Sequence, residues 1–385
     1  MSMSMSMSMK KVCHFSSAHR GLDIRIYRKQ CASLAQAGFD VHLVIDATPA
    51  DIAHAAGAGV TIHPLVSMAG RGRLQRMLVQ TWRCYRIARA LDADVYHFHD
   101  PELIPYGLLL TWQGKKVIAD LHEDLRSDIQ SKQWIATPLR HAIGALARAL
   151  EHFAARRLSA VVAATPHIGA LFAHSAARVA VIHNYPAPDE LAAPRSPASC
   201  QGQVARDSVC YVGAINAIRG IRQTIRALEM APSKLLLAGE FDSPALRAEV
   251  SAYPGWRHVE EYGHVDRQRV AQIMARSFCG LVTFCPEPNH LDALPNKLFE
   301  YMSAGVPVIA SNFPLWRSIV EGAGCGLCVD PDDPADVARA VNYLRSHPAQ
   351  AEKMGNNGRR AVESSYRWDV EEAKLVTLYR ELGSV

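Results

Sequence analysis

The sequence predicts an α/β protein made of two doubly wound, Rossmann-like domains that face each other across a cleft. Its 385 residues are enough for two domains of ordinary size. Short apolar, β-branched segments alternate with amphipathic segments, which is typical of parallel sheets covered by helices. A stretch rich in Pro, Ala and Ser, 181–202, interrupts this alternation and indicates a linker between the domains.

The first domain is expected to span residues 9–186, because the leading "MSMSMSMS" is a low-complexity segment without the apolar core of a signal peptide. "KKVCHFSS" is a predicted strand that ends in a polar loop, and Gly38 ends the helix that follows. The later strands of this domain are "FDVHLVID", "ADVYHFHD", "KKVIADLHED" and "LSAVVAATP".

The second domain, residues 187–366, repeats the same alternation. Its predicted strands include "VCYVGAI", "KLLLAGEF", "HVEEYGHV" and "CGLVTFCP", with a helix after each of the first three. In parallel sheets of this kind, ligands bind beyond the carboxyl ends of the strands. We therefore expect the functional residues to lie where these strands end.

The segment 291–311, "LDALPNKLFEYMSAGVPVIAS", combines a loop, a helix and a buried strand. Pro295 suits the start of a helix over Asn296–Ala304, since the first turn of a helix needs no N–H from that position. Gly305 is a helix-ending residue, and the apolar residues 306–310 predict a buried parallel strand. Two carboxylates and a lysine are thus placed around one helix start.

The composition is that of an ordinary globular protein, with 49% apolar and 21% charged residues. No apolar run reaches the roughly 18 residues that a membrane-spanning helix needs. Nine scattered cysteines suit a reducing compartment, so we expect a cytoplasmic protein. Cys325 and Cys328 form a C-x-x-C without a second pair, which favours packing over zinc or redox chemistry.

Positive charge is concentrated in the first half, where residues 1–186 hold 21 Lys and Arg against 13 Asp and Glu. An anionic membrane or a phosphorylated substrate would explain this excess, whereas the basic–aromatic pattern of nucleic-acid readers is absent. Two basic amphipathic stretches, 70–91 and 138–158, either lie on the inner face of the cytoplasmic membrane or cover a sheet and leave their arginines in solvent. The candidate membrane contacts are Arg148, Arg156 and Arg157.

The order and spacing of these segments resemble the retaining family-4 glycosyltransferases of the GT-B fold, of the bacterial polysaccharide or glycoconjugate type. The resemblance rests on the acidic pair Asp292 and Glu300, which has seven residues between its members and is followed by "GVPV", and which resembles the E-x7-E motif of that family. It extends through "SSAHRGLDIRIYRK", "HFHDPELIP", "ADLHED", "YVGAINAIRGI" and "LLLAGEF". It also implies that the last helix, about 367–385, returns to the first domain.

The resemblance implies a nucleotide-sugar site. Arg219 would bind the diphosphate. It would supply more of the stabilising charge than in other members, because Ala214 occupies a position where the family often has an arginine. Glu300 would accept the two ribose hydroxyls, since a carboxylate offers paired acceptors. The start of the helix at Asn296 would bind phosphate through its free N–H groups. The implied donor-binding residues are Gly21, Arg219, Tyr262, Gly263, His264, Asn296, Lys297, Leu298 and Glu300.

The implied catalytic residues are His122, Arg219 and Asp292. His122 matches a family histidine that contacts the donor sugar across the cleft, and Asp292 replaces the family glutamate with a side chain one methylene shorter. His97, His99 and Asp100 admit a metal site, but the family requires no metal and we expect none, nor any resident cofactor. Glu102 and Asp124 are assigned to the acceptor side.

The expected activity is transfer of a sugar, with retention, from a nucleoside diphosphate sugar to a saccharide or lipid-linked saccharide acceptor. UDP is favoured over GDP from its frequency in the family. No carboxylate is placed as a covalent nucleophile, which favours attack on the same face as the departing diphosphate. Two alternatives stay open: a nucleotide-sugar 2-epimerase-like isomerase on the same fold, and a non-catalytic scaffold of polysaccharide assembly.

Overall fold

The computed structural model describes residues 10–66, 76–131, 135–187, 190 and 206–383. The chain divides into two units, each with its own parallel sheet: unit 1 is Met1–Asn184 with Trp368–Val385, and unit 2 is Tyr185–Arg367. The predicted class of two Rossmann-like α/β domains is therefore confirmed. The low-complexity start, residues 70–75 of the first basic stretch and most of the proposed linker lie outside the described residues.

Unit 1 contains a seven-stranded parallel sheet in the order β3-β2-β1-β4-β5-β6-β7. Its strands are β1 (Lys11–Arg20), β2 (Asp40–Asp46), β3 (Val60–Leu65), β4 (Val95–Phe98), β5 (Lys116–Leu121), β6 (Ala160–Ala163) and β7 (Val179–Val181). The order reverses direction between β1 and β4, and a sheet of this type binds ligands beyond the strand ends at such a point.

The helices of unit 1 cover both faces of this sheet. The α-helices in the first of its two chain segments, residues 1–184, are α1 (Ala32–Gln36), α2 (Pro49–Gly57), α3 (Thr81–Ala90), α4 (Ile104–Trp112), α5 (Leu125–Ser131), α6 (Thr137–Ala155) and α7 (Pro166–Phe172). Within the described residues, no helix is both long and apolar enough to cross a membrane.

Unit 2 contains a six-stranded parallel sheet in the order β10-β9-β8-β11-β12-β13, which reverses between β8 and β11. Its strands are β8 (Ser208–Val212), β9 (Lys234–Ala238), β10 (Val259–Gly263), β11 (Ser277–Val282), β12 (Val308–Ser311) and β13 (Gly326–Val329). Its helices are α8 (Ile221–Met230), α9 (Pro244–Ser251), α10 (Arg267–Ala275), α11 (Asn296–Ser303), α12 (Pro314–Ala323), α13 (Pro334–Ser346) and α14 (Pro348–Ser365).

The last helix, α15 (Trp368–Gly383), packs within unit 1. The Trp368 indole N–H donates to the Ser33 hydroxyl at 2.9 Å, and the buried Tyr379 reaches the sheet. The two ends of the sequence are thereby joined through one core.

Three local predictions were wrong in detail. Strand β1 continues through the polar residues to Arg20, with a change in its pairing register after Phe15, so the predicted loop begins only at Gly21. The helix after it starts with π-type hydrogen bonding over Ile24–Cys31. Strand β12 starts at Val308 and not at residue 306, because the Val306 N–H still donates to the carbonyl of Tyr301 and Pro307 has no N–H.

Candidate functional site

The loop after β8 fixes Arg219 at the switch point of the unit 2 sheet. The Asn216 side chain accepts from the Arg219 N–H at 3.0 Å, and the Tyr211 hydroxyl donates to the Arg219 carbonyl at 3.2 Å. Gly220 ends this turn with φ of +76°, and a Cβ there would lie 1.8 Å from the carbonyl oxygen of Thr283. Only glycine fits this contact. The half-buried Arg219 guanidinium donates no hydrogen bond to any residue that the structure describes.

Lys297, in the first turn of α11, is buried against the same loop. Its Nζ lies 3.7 Å from the ring centroid of Tyr211 and 5.2 Å from that of Phe284, while the Arg219 guanidinium carbon lies 5.4 Å from the Phe284 ring. The Lys297 amine has no hydrogen-bond partner within the described part of the chain. Burial, reinforced by the Arg219 charge, lowers its pKa well below the usual range.

The start of α11 adds N–H groups to these two side chains. Pro295 caps the helix without a side-chain hydrogen bond, and the Leu298 N–H already donates to the Pro295 carbonyl at 3.0 Å. In the described structure, the N–H groups of Asn296 and Lys297 have no acceptor, whereas the Leu298 side chain is fully buried in the core. A free helix start beside two cations is an arrangement that binds anions.

Glu300 lies one turn further along α11 and is also buried, with an exposed fraction of 8%. Its Oε1 accepts from Arg267 at 2.9 Å, and the same guanidinium donates to Glu190 at 2.8 Å. The Glu300 Oε2 accepts from no described residue. Arg267 therefore holds the carboxylate in place and leaves one of its oxygens for a ligand.

Asp292 is exposed and lies in the loop before α11, which the Trp316 indole anchors by donating to the Ala293 carbonyl at 2.7 Å. Ala214, at the position where the resemblance suggests an arginine, is exposed. The structure thus brings Arg219, Lys297 and Glu300 into one buried neighbourhood and leaves Asp292 at its surface.

Three of the predicted donor-binding residues, Tyr262, Gly263 and His264, lie at the carboxyl end of β10. Gly263 has φ of +65° and its carbonyl accepts from the Gly239 N–H at 2.8 Å. The Tyr262 hydroxyl donates to Glu260, and its ring lies 4.8 Å from the Arg269 guanidinium carbon. His264 is exposed. The Gly263 carbonyl is therefore already occupied by the sheet.

In unit 1, Gly21 is buried directly after β1. The resemblance assigns this residue to donor binding, but its N–H donates to the Asp46 carbonyl at 2.7 Å. A Cβ at this position would lie 2.5 Å from the Asp51 carboxylate, which explains the glycine.

His122 follows β5 and is half-buried, and both of its ring nitrogens are buried without a hydrogen-bond partner among the described residues. Its Nδ1 lies 3.6 Å from Asp120 Oδ1. Burial, opposed by Asp120 and reinforced by Arg25, lowers the pKa of His122, which favours the neutral imidazole.

His97 and His99 do not share a site with Asp100. Asp100 accepts from Ser16, from the Ser17 N–H at 2.6 Å and from His19, while the two histidines face His14. Nitrogens of His14, His97 and His99 lie within 4.8 Å of one another, but hydrogen bonds already link them to Tyr379 and Asp120.

On the predicted acceptor side, Asp124 pairs with Arg148 at 2.8 Å and accepts from Ser127. Glu102 is half-buried in the turn after β4. Arg148 is therefore engaged in an ion pair, whereas Arg156 and Arg157 are exposed at the end of α6.

Sequence reasoning missed three residues that shape these sites. Arg267 is the first residue of α10, directly after the helix-capping Asp266. Apart from this cap, the neighbouring sequence gave no indication of its role. Asp120 lies within the "ADLHED" segment, and its partner Arg25 lies 95 residues earlier in the chain. A spacing that large leaves no trace in a local pattern.

Each half of the chain matches a glycosyltransferase family model. Residues 25–185 match the family model Glycosyltransferase Family 4, and residues 203–361 match the model Glycosyl transferases group 1. A D-rhamnosyltransferase WbpZ of Pseudomonas aeruginosa is 29% identical over 160 residues, which are 41% of this chain and 40% of that protein. A glycogen synthase of Mycobacterium tuberculosis is 22% identical over 300 residues, or 76% of this chain and 69% of the relative. The first of these matches spans less than half of its relative's length.

Solved structures share the whole fold. The sucrose-phosphate synthase of Thermosynechococcus elongatus superposes with a TM-score of 0.77 at 20% identity, over 97% of this chain and 99% of the other. Anabaena HepE in complex with UDP and glucose superposes with a TM-score of 0.72 at 16% identity, over 98% and 100% of the two chains. The fold is GT-B, and each half of the chain is similar to a glycosyltransferase family model.

Proposed function

We propose that this chain, which carries two glycosyltransferase domains on a GT-B fold, transfers a hexose from a nucleoside diphosphate sugar to a saccharide or lipid-linked saccharide. The observation that carries the proposal is the buried Lys297 amine, which has no hydrogen-bond partner in the described structure and lies with Arg219 around the Phe284 ring. A buried amine without a hydrogen-bond partner destabilises the free protein, so an anionic ligand is the natural partner for it.

The proposed reaction breaks the bond between the anomeric carbon and the diphosphate, which leaves with negative charge. Arg219, Lys297 and the free N–H groups at the start of α11 stabilise that charge as it develops. We propose retention of the anomeric configuration, with the acceptor attacking on the face from which the diphosphate departs. The departing phosphate oxygen then takes the acceptor's proton.

Glu300 is proposed to hold the nucleoside. Its Oε1 is fixed by Arg267, and its Oε2 is left to accept from the ribose hydroxyls. Asp292 is proposed to contact the sugar instead, because it lies in the exposed loop ahead of the helix. UDP is the proposed nucleotide. HepE, which has the same fold, was solved in complex with UDP and glucose, and this favours the choice.

The proposed acceptor belongs to surface polysaccharide or glycoconjugate synthesis, and its lipid would draw the enzyme to the inner face of the membrane. Helix α6 supports this, because it packs through small residues such as Gly144 and Ala154 and exposes large apolar ones on another face. The exposed set is Leu139, Ile143, Leu146, Leu150 and Phe153. This stripe, which ends beside Arg156 and Arg157, has the chemistry of an interfacial helix.

Thermal-shift screening against UDP, GDP and their sugars, followed by transfer assays with the stabilising donor, tests the proposal. The expected result is stabilisation by a nucleoside diphosphate and donor-dependent glycosylation of a saccharide acceptor. Conversion of the donor to its epimer without transfer would establish the isomerase alternative. Absence of both stabilisation and turnover across the panel would overturn the proposed function.

A further inference from the structure

The carboxylate of Asp120 is a fully buried charge held by several donors in unit 1. Arg25 donates to both of its oxygens, to Oδ1 at 2.7 Å and to Oδ2 at 3.0 Å. Gln30 and His99 also donate to Oδ2, at 2.7 and 3.0 Å. Oδ2 therefore has three donors, whereas Oδ1 has one and keeps a free acceptor position.

A series of buried side chains fixes His99 as one of these donors. Because the carboxylate can only accept, His99 carries its proton on Nδ1, and its Nε2 must accept from His14 Nδ1 at 3.0 Å. His14 Nε2 then accepts from the Tyr379 hydroxyl at 3.0 Å, and the Tyr379 oxygen accepts from His97 Nδ1 at 2.7 Å. We call these four residues, His97, Tyr379, His14 and His99, the histidine series. Each member donates to the next one, and the last donates to Asp120.

His122 lies beside Oδ1, the oxygen with a free acceptor position. The His122 Nδ1 lies 3.6 Å from Oδ1, and neither of its nitrogens has a partner among the residues described. The His99 ring is stacked on the His122 ring at 5.9 Å and 5°, and the His19 ring meets it edge-on at 5.9 Å. The ring plane is thus set by two neighbours, and the nearest charge is the carboxylate beside Nδ1.

We propose that Asp120 is the positioning residue of His122 and holds it as the tautomer with its proton on Nδ1. The Nε2 lone pair is then left to accept a hydrogen bond from a substrate hydroxyl. The arrangement fixes one role for a neutral imidazole that could otherwise donate or accept through either nitrogen. This inference rests on the proposed function for the identity of that substrate, a sugar.

A divalent metal is a poor alternative for the group His99, Asp120 and His122. The Arg25 guanidinium already occupies both carboxylate oxygens, and its positive charge opposes a second cation at the same place. Arg25 is itself buried and also donates to the Ile182 carbonyl at 2.9 Å, so it is a fixed part of the core.

The experiment is long-range ¹H–¹⁵N spectroscopy of the full chain labelled at its histidines, with His122 assigned by His122→Gln. We expect His122 as the Nδ1–H tautomer near neutral pH, and a shift to a tautomer mixture in Asp120→Asn. The matched control is Tyr379→Phe, which breaks the histidine series at its far end and should leave the His122 signals unchanged. The titratable or charged groups around the ring are Asp120, Arg25, His99, His19 and Asp100.

An Nε2–H tautomer or a protonated His122 in the unmodified protein would overturn the inference without any variant, even if Asp120→Asn fails to fold. His122 signals that are unaffected in a folded Asp120→Asn protein would also overturn it. In transfer assays, Asp120→Asn should lower kcat by about 10- to 100-fold, by analogy with the loss of the carboxylate partners that orient metal-bound histidines, and leave UDP affinity unchanged. Absent transfer by the unmodified protein would count against the proposed function only, because the tautomer is read without turnover.

Discussion

Replacing Lys297 with methionine should stabilise the free protein. The Lys297 amine is buried without a hydrogen-bond partner in the described structure, and an unsatisfied buried polar group costs about 1–3 kcal/mol. Methionine keeps most of the aliphatic stem and places a thioether near the Tyr211 ring, a favourable contact. We therefore expect the free energy of unfolding to rise by up to about 1–3 kcal/mol.

The same substitution should weaken the binding of UDP. A hydrogen bond between an ammonium group and a phosphate contributes about 1.5–3 kcal/mol, which corresponds to an increase in Kd of about 10- to 150-fold. Stability and affinity should thus change in opposite directions. General damage to the fold lowers both quantities, so it cannot produce this pair of results.

The pH dependence of UDP binding gives a second readout of Lys297. Burial and the Arg219 charge lower the pKa of the free amine, and a bound diphosphate raises it again. The complex therefore holds more protons than the free protein, and affinity falls as the pH rises through the pKa of Lys297 in the complex. Calorimetry in buffers of different ionisation enthalpy should detect proton uptake, which Lys297→Met should abolish.

Differential scanning calorimetry and isothermal titration with UDP measure the two effects. Lys353→Met is the matched control, since Lys353 is exposed on α14 of the same unit and both quantities should stay unchanged. A lower melting temperature together with an unaltered Kd for UDP would refute the reasoning. Lys297 would then be a packing residue and its amine would have no anionic partner.

Two further variants and one binding assay test the remaining proposals. Glu300→Ala should cost about 2–4 kcal/mol in kcat/KM for the donor, because charge-assisted hydrogen bonds to the ribose are lost, while acceptor affinity is spared. Asp292→Ala should leave the affinity for bare UDP nearly intact, and unchanged UDP binding in Glu300→Ala would contradict the ribose assignment. Sedimentation with anionic vesicles should decrease with salt and with Leu146→Glu, and equal pelleting with neutral vesicles would contradict membrane docking.

The fold was predictable because its signals are local. Helix α11 begins after Pro295 and ends before Gly305, which has φ of +67°, as the residue types indicated. The apolar strands and their alternation with helices likewise specified two parallel sheets. The largest difference was in the first βα unit, where the polar residues after Phe15 extend the strand to Arg20 and bind distant residues such as Asp100.

The candidate site was less predictable because its properties arise from pairs far apart in sequence. The burial of Lys297 depends on Tyr211 and Phe284, which enter from two other strand ends, and the sequence left burial and solvation of this lysine equally open. The Arg267 pairing of Glu300 spans 33 residues, and the contact of His14 with Tyr379 spans 365. A motif identifies such residues but does not give their partners.

The two units differ in whether a buried ionisable side chain has hydrogen-bond partners, and this difference leads to a last prediction. Asp120 has donors on both oxygens, whereas the Lys297 amine has no acceptor within the described residues. A satisfied group gains little from a ligand, but an unsatisfied one gains a partner, and a ligand at 100 times its Kd stabilises a protein by about 2.7 kcal/mol. UDP should therefore slow hydrogen exchange most in α11 and in the loop after β8. Unchanged exchange in both segments, at a UDP concentration that raises the melting temperature, would place the nucleotide elsewhere.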